Sequence, residues 1–179
     1  MHGIVPKTLE EYVVEHTDET AWDAVLERAA VETTLYLPVS RYDDRELEAL
    51  LTALSNSAAQ SREGIERDFG RRLAPALLAT FDAHVADDRE LHTVLLELEA
   101  IAADIESGID GVSLPEVSGR VADEGNTVVV TYRSQREYCS LAHGVLEGFV
   151  SEFDAGAVVE KIDCVHEDAD ACRFRVALE

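Results

Sequence analysis

The spacing of the apolar residues changes once along the sequence, near residue 114, and this change constrains the fold more than any other feature. Before it, apolar residues recur with the three- and four-residue spacing of amphipathic helices. Four segments follow this pattern: 8–15, 20–31, 43–54 and 61–81. The first part of the chain is therefore predicted to be mainly helical, with an extended connector at 35–42 that contains Pro38.

A longer helix completes this first part. Asp87 and Asp88 precede its apolar residues, whereas Gly108 and Gly111 end it and Pro115 cannot continue it. One side of the helix is apolar and consists of Leu91, Leu95, Leu98, Ile101, Ala102 and Ile105. We expect this side to face the interior of the protein.

After residue 114 the pattern becomes that of strands. Residues 127–132 and 157–164 are strongly β-branched, residues 173–178 alternate with a period of two, and residues 116–122 form a weaker strand. One helix, 138–153, lies between the second and third strands. Helices followed by strands predict an α+β fold, with a four-stranded antiparallel sheet and one inserted helix.

No linker rich in Pro, Gly or Ser interrupts the chain, so a single domain is expected over residues 1–179. Within it, residues 1–113 are predicted to form the mainly helical subregion. Residues 114–179 are predicted to form the sheet together with its one helix.

The charge balance excludes several classes of partner. Acidic residues outnumber basic ones by 37 to 15, which gives a formal net charge of −22. Because phosphate binding needs clustered Lys and Arg, this charge argues against nucleic acid and anionic membranes. Such self-repulsion is well screened only at roughly 1 M salt, where the Debye length is about 3 Å, so a halophilic setting is expected. No apolar stretch approaches the roughly 20 residues of a membrane span, and no signal-peptide pattern opens the chain, so a cytoplasmic protein is predicted.

The most informative polar residues lie at the end of the second strand. If the strand continues through Tyr132, Ser134 and Arg136, its period of two places all three side chains on one face. All three are hydrogen-bond donors, and a guanidinium binds a carboxylate through two parallel hydrogen bonds. The residues alone leave two readings open: a carboxylate-binding site, or a solvated rim at the end of a strand.

These residues match the YxSxR motif of the heme-nitric-oxide/oxygen-binding (H-NOX) family, in which the three side chains hold the heme propionates. The motif stands between a strand and a helix, as in that family, and the resemblance runs nearly from end to end. The segments that carry it are MHGIVPKTLEEYV, ETAWDAVLERAAV, YDDRELEALLTAL, FGRRLAPALL and LAHGVLEGFVSEF. The resemblance implies the family's fold and a heme cofactor held by Tyr132, Ser134 and Arg136. It also implies sensing of nitric oxide, another diatomic gas or redox state, with signalling to a partner such as a kinase or transducer.

One position departs from the family. The family's long helix carries a proximal histidine in a pattern like L-D-x-L-H, and a proline near the heme follows downstream. The matching run here is LEAIA, residues 98–102, and Pro115 stands at the expected distance. Ala102 therefore occupies the ligand position, and an alanine methyl group cannot bind iron.

No other histidine is well placed to substitute for the missing one. His92 lies ten residues before Ala102, about 15 Å along the helix axis, and its direction differs by about 80°. His143, on the helix after the motif, is the best alternative, although Leu141 and Val145 are expected to face the pocket more directly. The remaining histidines are predicted to be remote or at the surface: His2, His16, His84 and His166.

Other chemistry is not indicated. The three cysteines form no CxxC pair, and buried reduced thiols are expected, with a pairing of Cys164 and Cys172 across a hairpin as the alternative. The chain contains no P-loop, no metalloprotease motif and no nucleophile elbow, and its many carboxylates form no distinctive dyad. We therefore expect a sensor and not an enzyme.

Three functions stay open at this point. The first is a heme-binding sensor of H-NOX type with an atypical or missing axial ligand. The second keeps the pocket for another tetrapyrrole or a carboxylated apolar molecule, and the third is a protein-interaction module without a ligand. The complete set of Tyr132, Ser134 and Arg136 favours the first two, because an unpaired arginine in a closed pocket is costly. The missing histidine weighs against the first.

Overall fold

A computed structural model of the chain describes residues 1–33, 35–84, 90–108, 113–122, 126–136 and 138–178. Helices come first and an antiparallel sheet with one inserted helix follows, so the predicted α+β fold class is confirmed. The predicted start of the long helix at Asp87 and Asp88 lies outside the described residues, as does Gly111.

Within the described part of the chain, five α-helices precede the sheet. They are α1 (Ile4–His16), α2 (Glu19–Ala29), α3 (Asp44–Ser57), α4 (Arg62–Thr80) and α5 (Leu91–Gly108). Side chains of Asp18, Asp43 and Ser61 accept hydrogen bonds from backbone N–H groups in the first turns of α2, α3 and α4 and so fix where these helices begin. None of these helices is long and apolar enough to cross a membrane.

The second part of the chain forms one sheet. Its strands are β1 (Glu116–Val121), β2 (Thr127–Arg133), β3 (Ala157–Asp163) and β4 (Cys172–Leu178), and α6 (Cys139–Glu152) connects β2 to β3. Every neighbouring pair is antiparallel and the order is β1-β2-β4-β3, so β1 and β3 are the edges. Alternate residues of the two central strands are buried on one face: Val128, Val130, Tyr132, Cys172, Phe174 and Val176.

Two apolar clusters stabilise the fold. The first joins α1 to α4 and contains Leu9, Leu50 and Phe69, all fully buried. The second joins α5, α6 and the inner face of the sheet. Val145 of α6 packs against both clusters, so α6 connects the helical part of the protein to the sheet.

Helices α4 and α6 approach each other very closely. A Cβ atom at Gly70 would overlap the carbonyl oxygen of Leu141, and one at Gly144 would overlap the carbonyl oxygen of Arg67. Arg67 also donates from Nε to Glu147 of α6 at 2.9 Å. Because glycine alone leaves room for this backbone contact, the spacing of α4 and α6 is set by residues that carry no side chain.

Candidate ligand-binding site

Strand β2 ends at Arg133, before the predicted polar trio is complete. Tyr132 is the last inward-facing residue of the strand, and it is buried. Burial raises the pKa of its phenol. Ser134 is half-buried just beyond the strand, and Arg136 lies in the turn that leads to α6. The strand therefore does not continue through the motif as its period-two spacing assumed, although the three residues remain close in the chain.

Arg136 is exposed, and its charge is paired. Its Nη2 donates to Oδ2 of Asp44 at 2.7 Å, and its backbone N–H donates to the hydroxyl of Ser134 at 3.2 Å. Asp44 also forms an ion pair with the amino group of Met1. Although burial acts in the opposite direction, the Met1 ammonium and Arg136 hold the pKa of Asp44 below its usual value. A carboxylate at the start of α3 thus orients the guanidinium.

Two glutamates lie near the same strand end. Glu66 of α4 is buried and pairs with Arg62 at 2.5 Å, and burial raises its pKa in spite of that pair. Glu48 of α3 accepts hydrogen bonds from Tyr138 at 3.1 Å and from Arg62 at 2.9 Å. The charge of Glu66 adds to the rise in the pKa of Tyr132. Carboxylates of the protein itself therefore accept hydrogen bonds from several donors near this end of β2.

The long helix α5 carries Ala102 on the side that packs against the sheet. Leu95, seven residues before it, is 1% exposed, and Ile105, three residues after it, is also buried. Ala102 itself is half-buried. A Cβ atom at Gly119 of β1 would overlap the carbonyl oxygen of Leu95, so β1 lies directly against this helix. Ala102 contributes no atom that can bind a metal ion.

Pro115 is exposed and immediately precedes β1. The register of the β1–β2 pair places Glu116 opposite Arg133, so Pro115 and Ser134 lie at the same end of this pair. The neighbouring Leu114 donates its backbone N–H to Oε1 of Glu106 at 2.6 Å, which ties the segment to the last turn of α5. The fold thus brings the predicted proline to the same end of the sheet as the predicted polar residues.

The histidines differ in how their ring nitrogens are used. Nε2 of His143 lies 3.2 Å from the carbonyl oxygen of Val159, and its ring packs against Phe174 with centroids 5.4 Å apart. Burial lowers the pKa of His143, and Arg67 lowers it further. Nε2 of His92 is buried and has no hydrogen-bond partner among the described residues. The ring of His143 thus contacts β3 and β4. Among the described residues, Nε2 of His92 has no such partner.

The cysteines form a cluster that the sequence pattern did not predict. Cys139 at the start of α6 is disulfide-bonded to Cys172 at the start of β4, and the free thiol of Cys164 is buried beside them. All three sulfur atoms lie within 4.8 Å of one another. The expectation of three reduced thiols is therefore wrong, and so is the alternative pairing of Cys164 with Cys172. When reduced, three such thiolates are ligands that zinc prefers.

No local signal could have given this pairing, because Cys139 and Cys172 are 33 residues apart in different types of element. Two facts of the tertiary structure bring them together. The β2–β4 register places Cys172 opposite Tyr132, and α6 starts a few residues after Tyr132. The first residue of the helix therefore lies next to the first residue of β4.

Comparison with known proteins was made on the sequence and on the fold. The family model described as Haem-NO-binding matches residues 2–161. An H-NOX mutant from S. oneidensis in the Fe(II) ligation state has a TM-score of 0.91 and 23% identity, over 100% of this chain and 96% of that one. A histidine-to-glycine mutant H-NOX domain from Shewanella oneidensis, in the Fe(II)CO ligation state, has a TM-score of 0.88 and 22% identity, over 100% and 99%.

A mutant H-NOX from T. tengcongensis is similar over 100% of this chain and 98% of that one, with a TM-score of 0.86 and 18% identity. No curated protein sequence matches the chain. At these identities the structural likeness shows the fold alone, and it agrees with the family match to the sequence.

Proposed function

The chain belongs to the Haem-NO-binding family, and we propose from this premise that it is a heme-binding sensor of a diatomic gas or of redox state, whose iron has no histidine ligand at Ala102. Domains of this family are heme-binding gas sensors. One observation carries the proposal: the YxSxR residues are all present, and the fold gathers them with Pro115 at one end of the β1–β2 pair.

The residues at this strand end fit the carboxylates of a porphyrin. Arg136 has five N–H donors, and its side chain is about 40% exposed, so a ligand carboxylate can reach it. Ser134 supplies a hydroxyl, and Tyr132 supplies a buried phenol two residues before it. The guanidinium of Arg136 already donates to a carboxylate, that of Asp44, and this contact supports its proposed role in binding an anion of the same type.

The residues that could bind the iron fit heme less well than those proposed for the propionates. Ala102 supplies no axial ligand, and Nε2 of His143 is hydrogen-bonded to the carbonyl oxygen of Val159. The Shewanella oneidensis relative in which histidine is replaced by glycine is nevertheless described in the Fe(II)CO ligation state. This supports heme binding by a chain of this fold in which a histidine has been replaced. Tyr132, Ser134 and Arg136 would then hold the heme through its propionates, together with apolar contacts, and Ala102 would give the iron no ligand.

Two other functions have an observation in their favour. Ala102 favours an iron-free cargo, either another tetrapyrrole or a carboxylated apolar molecule, since neither requires an axial ligand. The ion pair between Arg136 and Asp44 favours a protein-interaction module without a ligand, because it satisfies the guanidinium from within the chain. In each case the signal is proposed to pass to a separate partner, such as a kinase or transducer.

Absorption spectroscopy of the purified protein separates these functions. We expect a Soret band after titration with stoichiometric hemin, and a shift of that band when nitric oxide is added to the reduced protein. Binding of metal-free protoporphyrin as tightly as hemin would favour the iron-free cargo. A protein that binds neither would contradict the sensor proposal and favour the interaction module.

Arg136→Ala is expected to lower the affinity for hemin or protoporphyrin by roughly ten-fold, because a hydrogen bond to a charged group contributes about 1.5–3 kcal/mol and this one is partly solvated. The fold should persist, since Asp44 and Arg136 form only an exposed pair. Arg133→Ala is the matched control, because Arg133 is exposed on the same strand end and pairs with Asp170. Equal affinity in both variants and the wild type would show that the strand end is a solvated rim.

A further inference from the structure

Two glutamates beside the proposed propionate-binding residues take no part in the proposed function. Glu48 of α3 and Glu66 of α4 share one guanidinium, that of Arg62. It donates from Nη2 to Glu48 at 2.9 Å and from Nε to Glu66 at 2.5 Å. Tyr138, two residues after Arg136, donates to the same oxygen of Glu48 at 3.1 Å. A continuous chain of hydrogen bonds therefore leads from the start of α6 to Glu66.

The charges of this group are not balanced. Among the described residues, Arg62 is the one cation with which the two glutamates form ion pairs, so two carboxylates and one guanidinium carry a net charge of −1. Asp44 has the opposite arrangement, because it pairs with both Arg136 and the amino group of Met1. The positive charges of both sets are thus already paired. A ligand carboxylate at Arg136 brings negative charge that no unpaired cation of these two sets offsets.

Glu66 is the carboxylate of this group that is most readily protonated. It is 7% exposed, and burial raises its pKa in spite of its pair with Arg62. The charges of Glu48 and Glu63 raise this pKa further. Glu48 differs, because Arg62 and Tyr138 hold its pKa below the usual value although burial acts in the opposite direction. A negative charge added nearby should therefore protonate Glu66 first.

Glu66 also lies close to the proposed site. Burial raises the pKa of Tyr132, and the charge of Glu66 raises it further, so the carboxylate and the phenol share one poorly solvated region. Tyr138, at the start of α6, is linked to Glu66 through Glu48 and Arg62. Among the described residues, the charged or titratable groups that face Glu66 are Glu48 from α3, Arg62 and Glu63 from α4, and Tyr132 from β2.

We propose that Glu66 takes up a proton from solvent when a carboxylated ligand binds at the YxSxR residues, so that a lower pH strengthens binding. This inference rests on the proposed function, because the ligand is the one proposed there. The ligand carboxylate disfavours a second negative charge in a region of low dielectric constant, and protonation of Glu66 removes that repulsion. Arg62 then has only Glu48 to neutralise.

The direction of the pH dependence follows from this coupling. A bound carboxylate raises the pKa of Glu66 above its value in the free protein, so binding takes up a proton between the two values. Because coupling is reciprocal, the proton raises the affinity for the ligand by the same factor by which the ligand raises the affinity for the proton. Affinity therefore rises as the pH falls through the pKa of the complex, and it levels off below the pKa of the free protein.

Titration calorimetry of the full chain with hemin tests the proposal. At one pH, phosphate and Tris buffers differ in ionisation enthalpy, so the difference in measured heat gives the number of protons taken up. We expect net uptake by the wild type, and an affinity about ten-fold higher at about pH 6 than at about pH 8. The propionates stay ionised in this range, since an ordinary carboxyl group titrates at about pH 4. Metal-free protoporphyrin is the second probe, because it has the same propionates without the iron.

Glu66→Gln is expected to abolish both the proton uptake and the pH dependence. At about pH 8 it should bind hemin about ten-fold more tightly than the wild type, because glutamine keeps the size of the side chain without its charge. Glu66→Leu makes the same test if Glu66→Gln does not fold. Glu63→Gln is the matched control, because Glu63 lies on the same helix but is exposed. It should keep the pH dependence of the wild type.

Three results would overturn the proposal. Equal affinity at both pH values without proton uptake would contradict this inference alone and leave the proposed function intact. Uptake that persists in Glu66→Gln would assign the proton to another group, such as His143. Binding of neither hemin nor protoporphyrin by the wild type at either pH would contradict the proposed function, and this inference with it.

Discussion

Replacing Ala102 with histidine is expected to raise the affinity for heme by roughly 100-fold or more and to produce a histidine-ligated spectrum. If Ala102 occupies the proposed ligand position, the substitution supplies an axial bond to a site that already has the proposed propionate-binding residues. Residues that merely orient metal ligands change metal affinity by about 10–100-fold, and a ligand itself should contribute at least as much. Hemin titrations of the variant and the wild type, followed at the Soret band, measure the effect.

Ala103→His is the matched control for this experiment. Ala103 is exposed on the same helix, one residue further along, so its imidazole projects into solvent. Equal gains in both variants would show adventitious binding of iron by any histidine on α5. Destabilisation of the Ala102→His variant by about 1–3 kcal/mol with no gain in affinity would show that side chains fill the space beneath Ala102, and would favour the interaction module.

Gly70→Ala is expected to destabilise the protein by up to about 2 kcal/mol, although alanine is the better helix former. The new methyl group would overlap the backbone of α6 at Leu141, where neither helix can move without disturbing the two apolar clusters they join. Overpacking costs about 1–3 kcal/mol, and a contact with backbone atoms, which cannot move aside, should cost more than the gain of about 1 kcal/mol in helix propensity. Urea denaturation of the two proteins measures the difference in the free energy of unfolding.

Gly64→Ala makes the same chemical change in the same helix and serves as the control. The three atoms nearest to a Cβ atom at Gly64 all belong to the exposed side chain of Gln60, which can shift at the expense of its exposed hydrogen bond to Asp68. This variant should therefore be as stable as the wild type, or more stable by up to about 1 kcal/mol. If both variants are equally stable, the close contact of α4 with α6 does not make a side chain at Gly70 destabilising.

The cysteines, Arg136 and Asp44 show why part of the site could not be predicted from the sequence. The YxSxR motif identified Arg136, but its partner Asp44 lies 92 residues earlier, and nothing local in the sequence connects the two. The disulfide likewise joins Cys139 and Cys172, which are 33 residues apart and have no local connection in the sequence. Contacts of this kind depend on how helices and strands pack, and one more or one fewer residue in a connection would change them.

The sequence by itself determined the order and type of the elements, because each follows from a periodicity within a few neighbouring residues. β-branched runs such as 127–132 favour strands, and apolar spacing on α5 placed Ala102 on the side of the helix that packs inward. The YxSxR residues and the alanine at position 102 were equally visible. Only the tertiary structure decided that His143 binds a carbonyl group of β3 and that Arg136 pairs with Asp44. These features depend on register and helix packing, in which residues far apart in the chain become neighbours and local propensity carries no information.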